Sequence, residues 1–191
     1  MATAWSSVPT FTAGAVITAA QMSTVSNNLK LAGDRPAVFT TRNTGQAIAT
    51  GTNTAVSWNA TEVLNNDAMH STSLNQYQIT CVTPGYYLVA GAVSFPSVSS
   101  SNPFTAFVQK YTSSTSTQSV VLGSAGTANP SAGTLNQLAF VVKSNPCIVN
   151  LAVGDYVSLY VYHEHGSSLT TYEGGAKGQN SSMLVQWVAP S

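Results

Sequence analysis

The sequence predicts a mainly β domain, a sandwich or barrel, carried behind an extended arm and one short helix. Three observations predict it. From Ala37 onward, short runs rich in Val, Tyr, Phe and Thr alternate with Gly, Pro, Asn and Ser turn signals. Near the N-terminus one segment combines a complete helix start signal with apolar residues at helical spacing. Charge is scarce: six Lys or Arg and six Asp or Glu among 191 residues, against 43% hydrophobic residues. That balance excludes an electrostatic nucleic-acid binder, which needs a basic stripe. It also excludes a disordered chain. No apolar run approaches the roughly 20 residues that cross a bilayer, so no membrane partner is expected. The start, MATAWSSVPTFTAG, lacks a positive segment and an apolar core, so no signal peptide is expected.

Residues 1–16 read as the extended arm. Pro9 and Gly14 break any helical period, yet Trp5, Val8, Phe11 and Val16 are too apolar for a solvated tail. The helix is expected over 18–32. Thr18 is its N-cap, Gln21 its capping-box partner, and Ile17 and Met22 a hydrophobic staple. Met22, Val25 and Leu29 make one apolar stripe. Lys30 suits the C-terminal dipole, and Gly33 is expected at C′. A helix this short is not stable alone, so its stripe must dock on the domain, on copies of itself or on a partner.

Eleven strands are expected: 37–42, 47–49, 55–58, 76–82, 86–95, 105–112, 119–122, 135–143, 147–151, 156–163 and 183–188. Ser/Gly/Thr-rich loops are expected over 97–103, 113–118 and 123–134, and turns at 83–85, 144–146, 154–155 and 174–175. In 156–163, Val157, Leu159 and Val161 share one face and Tyr156, Tyr160 and Tyr162 the other. In 86–95 neither face is polar: Tyr87, Val89, Val93 and Phe95 oppose Tyr86, Leu88, Ala90 and Ala92. A sandwich strand with one face in water should alternate. The second face therefore needs a cover from outside the domain, which predicts an oligomer whose interface holds Tyr86, Leu88 and Ala90.

Chemistry-bearing residues are few. Cys81 and Cys147 are expected as buried, unpaired thiols. His163 and His165 share a face at a strand end, but no third ligand accompanies them, so no metal is expected. The carboxylates Asp34, Glu62, Asp67, Asp155, Glu164 and Glu173 sit in no catalytic motif; Asp155 reads as a turn residue. Asp67 is within reach of His70 in sequence, but no G-x-S-x-G accompanies them. Tyr160, Tyr162, Tyr172 and Trp58 are of the type that stacks on sugar rings, or that fills a core or an interface. No enzyme activity and no cofactor are expected.

Two stretches carry family resemblances. TPGYYLVAGAVSF, LAVGDYVSLYV and the closing MLVQWV resemble, in order and spacing, strand motifs of the jelly-roll superfamily that includes complement globular heads and tumour necrosis factor. The last strand departs from the family's "FxGxxL" pattern, having no glycine among Met183, Leu184 and Trp187. The resemblance covers about 37–190. It implies a ten-stranded jelly-roll sandwich, preceded here by the extended arm and one short α-helix, that forms a tight trimer. TAWSSVPTFTAGAVITAAQMSTVSNNLKLAGD resembles a leader found on many tailed-bacteriophage virion proteins. It implies a portable attachment module over 1–34 and a jelly-roll trimer domain over 35–191. Together they point to a non-enzymatic phage virion structural protein assembled in the host cytoplasm. The leading expectation is a trimeric capsid decoration or head-fibre protein, held on the major capsid protein or other virion proteins through Trp5, Val8, Phe11, Met22, Val25 and Leu29. The alternatives are a tail-fibre or tail-tip protein binding a host-surface glycan, and a secreted complement-like lectin.

Overall fold

The computed structural model describes residues 5–60, 62–96, 98, 103–113, 118–122, 139–173 and 180–191. After the arm comes α1 (Ala19–Gly33). The strands follow in chain order: β1 (Ala37–Thr41), β2 (Ala47–Ile48), β3 (Thr54–Ala55), β4 (Leu64–Asn65), β5 (Ile79–Thr80), β6 (Gly85–Pro96) and β7 (Phe104–Tyr111). Then come β8 (Gln118–Leu122), β9 (Ala139–Lys143), β10 (Cys147–Leu151), β11 (Tyr156–His163), β12 (Leu169–Thr170) and β13 (Ser182–Ala189).

The helix starts as its sequence dictates. The Thr18 hydroxyl accepts from the Gln21 N–H at 3.2 Å, and the Gln21 side chain accepts from the Thr18 N–H at 2.9 Å. Two otherwise orphaned donors are thereby satisfied. The end differs from expectation. Gly33 is the last helical residue rather than a left-handed C′ glycine, and Asp34 caps the helix, its N–H donating to Lys30 O at 2.7 Å. Local ties fix that exit: Asn66 Nδ2 donates to Asp34 Oδ1 at 3.1 Å and to Arg35 O at 3.3 Å. The apolar residue that docks the helix on the domain is Leu31, outside the sequence stripe and 1% exposed within the main core.

Two antiparallel sheets close over one apolar interior. The six-stranded sheet runs β10-β6-β13-β1-β4, with β9 also on β6; the five-stranded sheet runs β3-β11-β7-β8, with β5 also on β11. β2 and β12 form a separate two-stranded ribbon. The inward residues are those the alternation assigns. Tyr87, Val89, Val93 and Phe95 face Phe104, Ala106, Val108, Val157, Leu159 and Val161, all buried. At Gly91 the two sheets approach closely. A Cβ there would lie 2.7 Å from Leu159 Cδ2, so only glycine lets Leu159 seat fully.

The longer strands fall where expected, and β10 and β11 match residue for residue. Of the short ones, Ala47–Ile48 and Gln118–Leu122 lie within a residue of expectation and the others do not. The expected strand 76–82 shrinks to Ile79–Thr80, and 55–58 to Thr54–Ala55. β4 and β12 were not expected at all; both are two-residue edge pairings, too short for any period to register. The turn at Gly154-Asp155 forms, with Gly154 at φ 85°. The middle of the expected loop at 113–118 (residues 114–117), the loop at 123–134, most of that at 97–103, the first part of the strand 135–143, and the turn at 174–175 lie outside the described residues. Replacing Gly91 with Val should overpack the sheet interface by about 1–3 kcal/mol and lower the melting temperature by roughly 3–10 °C. An unchanged melting temperature would show that the sheets do not meet at this point.

Candidate assembly and attachment surfaces

The outer face of the six-stranded sheet is apolar over several strands. The register sets Leu88 between Ile148 and Gln186, and Ala90 beside Leu184, which lies beside Phe39. Ile148 is 62% exposed and Tyr86 42%; Leu88, Ala90, Leu184 and Phe39 are half-buried. A shallow depression on this face is lined by Phe39, Ala90, Gly91, Ala92, Pro146 and Leu184, with Ser144, Ser182 and the exposed Lys143. The predicted interface residues Tyr86, Leu88 and Ala90 thus share one surface. Sequence reasoning missed Ile148, Leu184 and Phe39, because each sits in a strand whose period was visible while its neighbours across the sheet were not.

The second surface belongs to the N-terminus. The arm is not extended into solvent; it turns at Ala13–Gly14 and runs back along α1. Asn28 clamps it through a reciprocal pair, accepting from the Ser6 N–H at 3.1 Å and donating to Ser6 O at 2.8 Å. Gln21 adds a third bond, donating to Thr10 O at 3.1 Å. Trp5, Val8, Val25 and Leu29 line one groove between arm and helix, with Pro9 and Ala32. Phe11 lies elsewhere, at the turn, in a hollow with Val16 and Ile17. Met22 lines neither and is 54% exposed. Folding back therefore leaves the predicted residues largely uncovered: Trp5 39%, Phe11 49%, Leu29 67% and Val8 69% exposed.

The polar residues hold the fold. All six carboxylates have structural partners: Asp34 with Asn66, Glu62 with His70 at 2.9 Å, Asp67 with the Thr83 hydroxyl at 2.8 Å, and Glu164 with the Tyr162 hydroxyl at 2.5 Å. Glu173 accepts from the Ser181 N–H at 2.8 Å and hydroxyl at 2.7 Å, with buried Arg42 3.7 Å away. Burial pushes the Glu173 carboxyl up despite these partners, and it lowers the Arg42 guanidinium against the pull of Glu173. His70 turns to Glu62 and Gln76 O, not to Asp67. Asp67 is held by Thr83 in a turn at positive φ, which aims it away.

His163 is fully buried, stacked on Phe104, and burial lowers its pKa. Its Nε2–H donates to Ile48 O at 3.0 Å and its Nδ1 accepts from the His165 N–H at 3.3 Å, so both nitrogens are committed. Among the described residues no group of three His, Cys, Asp or Glu could hold a metal. Cys81 is buried and unpaired, its thiol pushed up to about 11 chiefly by burial. Cys147 is also unpaired but only half-buried, because it begins β10 at the sheet margin. Of the four candidate sugar-stacking rings, Trp58 is a core residue with no exposed face. Tyr160 stacks on Phe107 at 5.8 Å and its hydroxyl pairs with that of Tyr111 at 2.8 Å. Tyr162 pairs with Glu164, and the Tyr172 N–H donates to Ser94 O.

This architecture is similar to solved structures of the tumour necrosis factor type. A crystal structure of murine APRIL at pH 8.0 superposes with a TM-score of 0.54 at 14% identity, over 78% of this chain and 97% of that one. The structure of Eiger TNF from S. frugiperda gives 0.56 at 11% identity, over 82% and 94%. No protein-family model matches the chain. No curated protein matches it either. The chain therefore carries a TNF-like jelly-roll domain, with the arm–helix hairpin ahead of it.

One ion pair offers a pH test of the sandwich. Asp155 accepts from the Ala152 and Ser113 N–H groups at 3.1 Å each and from Lys110 Nζ at 2.9 Å. Burial alone would raise its carboxyl; the Lys110 ammonium and the two N–H bonds outweigh burial and hold it below the ordinary value. The carboxylate thus favours folding above its unfolded pKa of about 3.9, and that contribution is lost as pH falls through the lower folded value. Asp155→Asn should lower the melting temperature at pH 7 by roughly 2–6 °C, and the gap should close near pH 2–3. An equal gap at both pH values would show that the charge plays no part.

Proposed function

We propose that this protein is a non-enzymatic structural component of a tailed-phage virion, a homotrimeric decoration or head-fibre protein held on the particle by its N-terminal hairpin. The observation that carries the reading is the pairing of two uncovered apolar surfaces on one charge-poor chain. The sheet face of Tyr86, Leu88, Ile148 and Leu184 is apolar and uncovered, a surface that a copy of the same domain can cover. The hairpin places Trp5, Val8 and Phe11 outside the domain, and residues 1–33 hold a single charge, Lys30. The likeness of this segment to phage leaders supports assigning it to attachment.

Attachment of this kind draws on apolar burial of about 25 cal/mol per Å², so it is insensitive to salt. Three hairpins per trimer multiply weak individual contacts. Leu88→Asp buries an unpaired charge in the trimer, at a cost of several kcal/mol. It should reduce the native mass from three chains to one without loss of β structure. A variant that keeps the parent mass would remove the sheet face from the interface.

The attachment test uses the full chain, since Leu31 joins the helix to the core and truncation would open it. Phe11→Ala with Val16→Ala, both exposed at the arm's turn, should leave the trimer intact and release it from the particles it decorates, read by co-sedimentation. Binding at parent affinity would move the anchor to the jelly roll. The number of copies on a particle, hundreds or a handful, separates head decoration from a tail fibre.

A further inference from the structure

The helix surface turned away from the domain has a spacing of its own. Met22, Val25, Leu29 and Ala32 follow one another by three, four and three residues, the a/d pattern of a helix that pairs with other helices. Leu31, the residue that docks α1 on the sandwich, lies across the helix from this seam, so the seam points outward. Met22 is 54% and Leu29 67% exposed.

The two flanks of the seam are unlike each other. Gln21 and Asn28, seven residues apart, lie on one flank, and both hold the arm there. That flank is thick, with Trp5 and Val8 beside Val25 and Leu29. The other flank carries Ala19, Ser26 and Gly33, all small and all exposed. The only charge on the helix, Lys30, is at neither a seam nor a flank position. Identical helices packed in parallel around a ring would set the thick flank of each against the thin flank of the next, with no like charges facing. A surface whose left and right edges differ in this way fits a copy related by rotation about a ring axis.

We infer that the α1 helices of three copies pack in parallel as a short bundle with Met22, Val25, Leu29 and Ala32 at its seam, each arm lying against the Ala19–Ser26–Gly33 flank of the neighbouring helix. This rests on the trimer reading. At about 22 Å the helix spans some two heptads, too few for an independent coiled coil. The jelly rolls supply the missing stability by holding the three helix roots together at high effective concentration. The bundle covers Met22, Val25 and Leu29 with other copies. It leaves the arm's turn, with Phe11, Val16 and Ile17 at the end farthest from the sandwich, to meet the particle.

The test places single cysteines in the full chain, Leu29→Cys at the seam and Lys30→Cys off it, with the parent chain as the blank for Cys81 and Cys147. A disulfide needs Cα atoms within about 7 Å. Both positions are exposed, so neither change disturbs the core. Each variant is oxidised mildly, read on a non-reducing gel, and its native mass is measured beforehand. A three-chain mass with at least about tenfold more linked dimer for Leu29→Cys than for Lys30→Cys is the expected result. A three-chain mass with equal linking overturns the bundle and leaves the trimer standing. A one-chain mass overturns the trimer reading and the bundle with it.

Discussion

Both faces of β6 are apolar, and most of what this molecule does follows from that. A sandwich buries one face of each sheet. Here the inner face of β6 takes Tyr87, Val89, Val93 and Phe95, each at most 1% exposed, which completes the core. The outer face then has Tyr86, Leu88 and Ala90 left over, and its neighbours Ile148, Leu184 and Phe39 extend the same apolar surface sideways. With six charges of each sign in the chain, charge is too scarce to keep such a face in water, Lys143 beside Ala92 being the charge that lines its depression. Covering it with a second copy is the solution that needs no further sequence.

The same economy governs the N-terminus. Arm and helix each expose apolar groups, and folding one on the other satisfies backbone polar groups more than it hides side chains. Asn28 and Gln21 commit their amides to Ser6 and Thr10, fixing the hairpin's shape. Trp5, Val8 and Phe11 stay substantially open. The hairpin is thus a pre-ordered module: its conformational entropy is already lost before any partner arrives. Leu31 and the Asn66 bonds root it on the sandwich, so the hairpin is joined to the jelly roll by packing as well as by the chain.

Much of this was legible in the sequence, and the limits are physical. Strong local signals survived. The Thr18–Gln21 capping box and the alternation in Tyr156–His163 depend on residues a few positions apart. So does the two-faced pattern of β6. What failed depends on contacts distant in sequence. Two-residue strands such as β4 and β12 exist only because β1 and β2 pass beside them. Residue type alone puts Gly33 at C′ of a helix over 18–32, whereas Asn66 fixes the exit at Asp34 and Arg35, and Gly33 stays helical. Leu31 lies outside the Met22–Val25–Leu29 stripe, yet it is the docking residue, because the domain approaches from the opposite side. The stripe itself was read correctly as apolar, but the arm returning along its flank has no signature in spacing. Asp67 and His70 are close in sequence and turn to different partners for the same reason.

The central claim is that the outer face of the six-stranded sheet is covered in solution. Hydroxyl-radical footprinting of the intact chain tests it directly, residue by residue. In a single chain Ile148 is 62% exposed, much like Val153 at 61% in a turn and Leu74 at 74% in a bend, both outside the strands. The account predicts that Val153 and Leu74 are oxidised while Ile148 and Leu88 are protected, and that protection disappears in Leu88→Asp. Oxidation of Ile148 at the rate of Val153 in the parent protein would show an open face and contradict it.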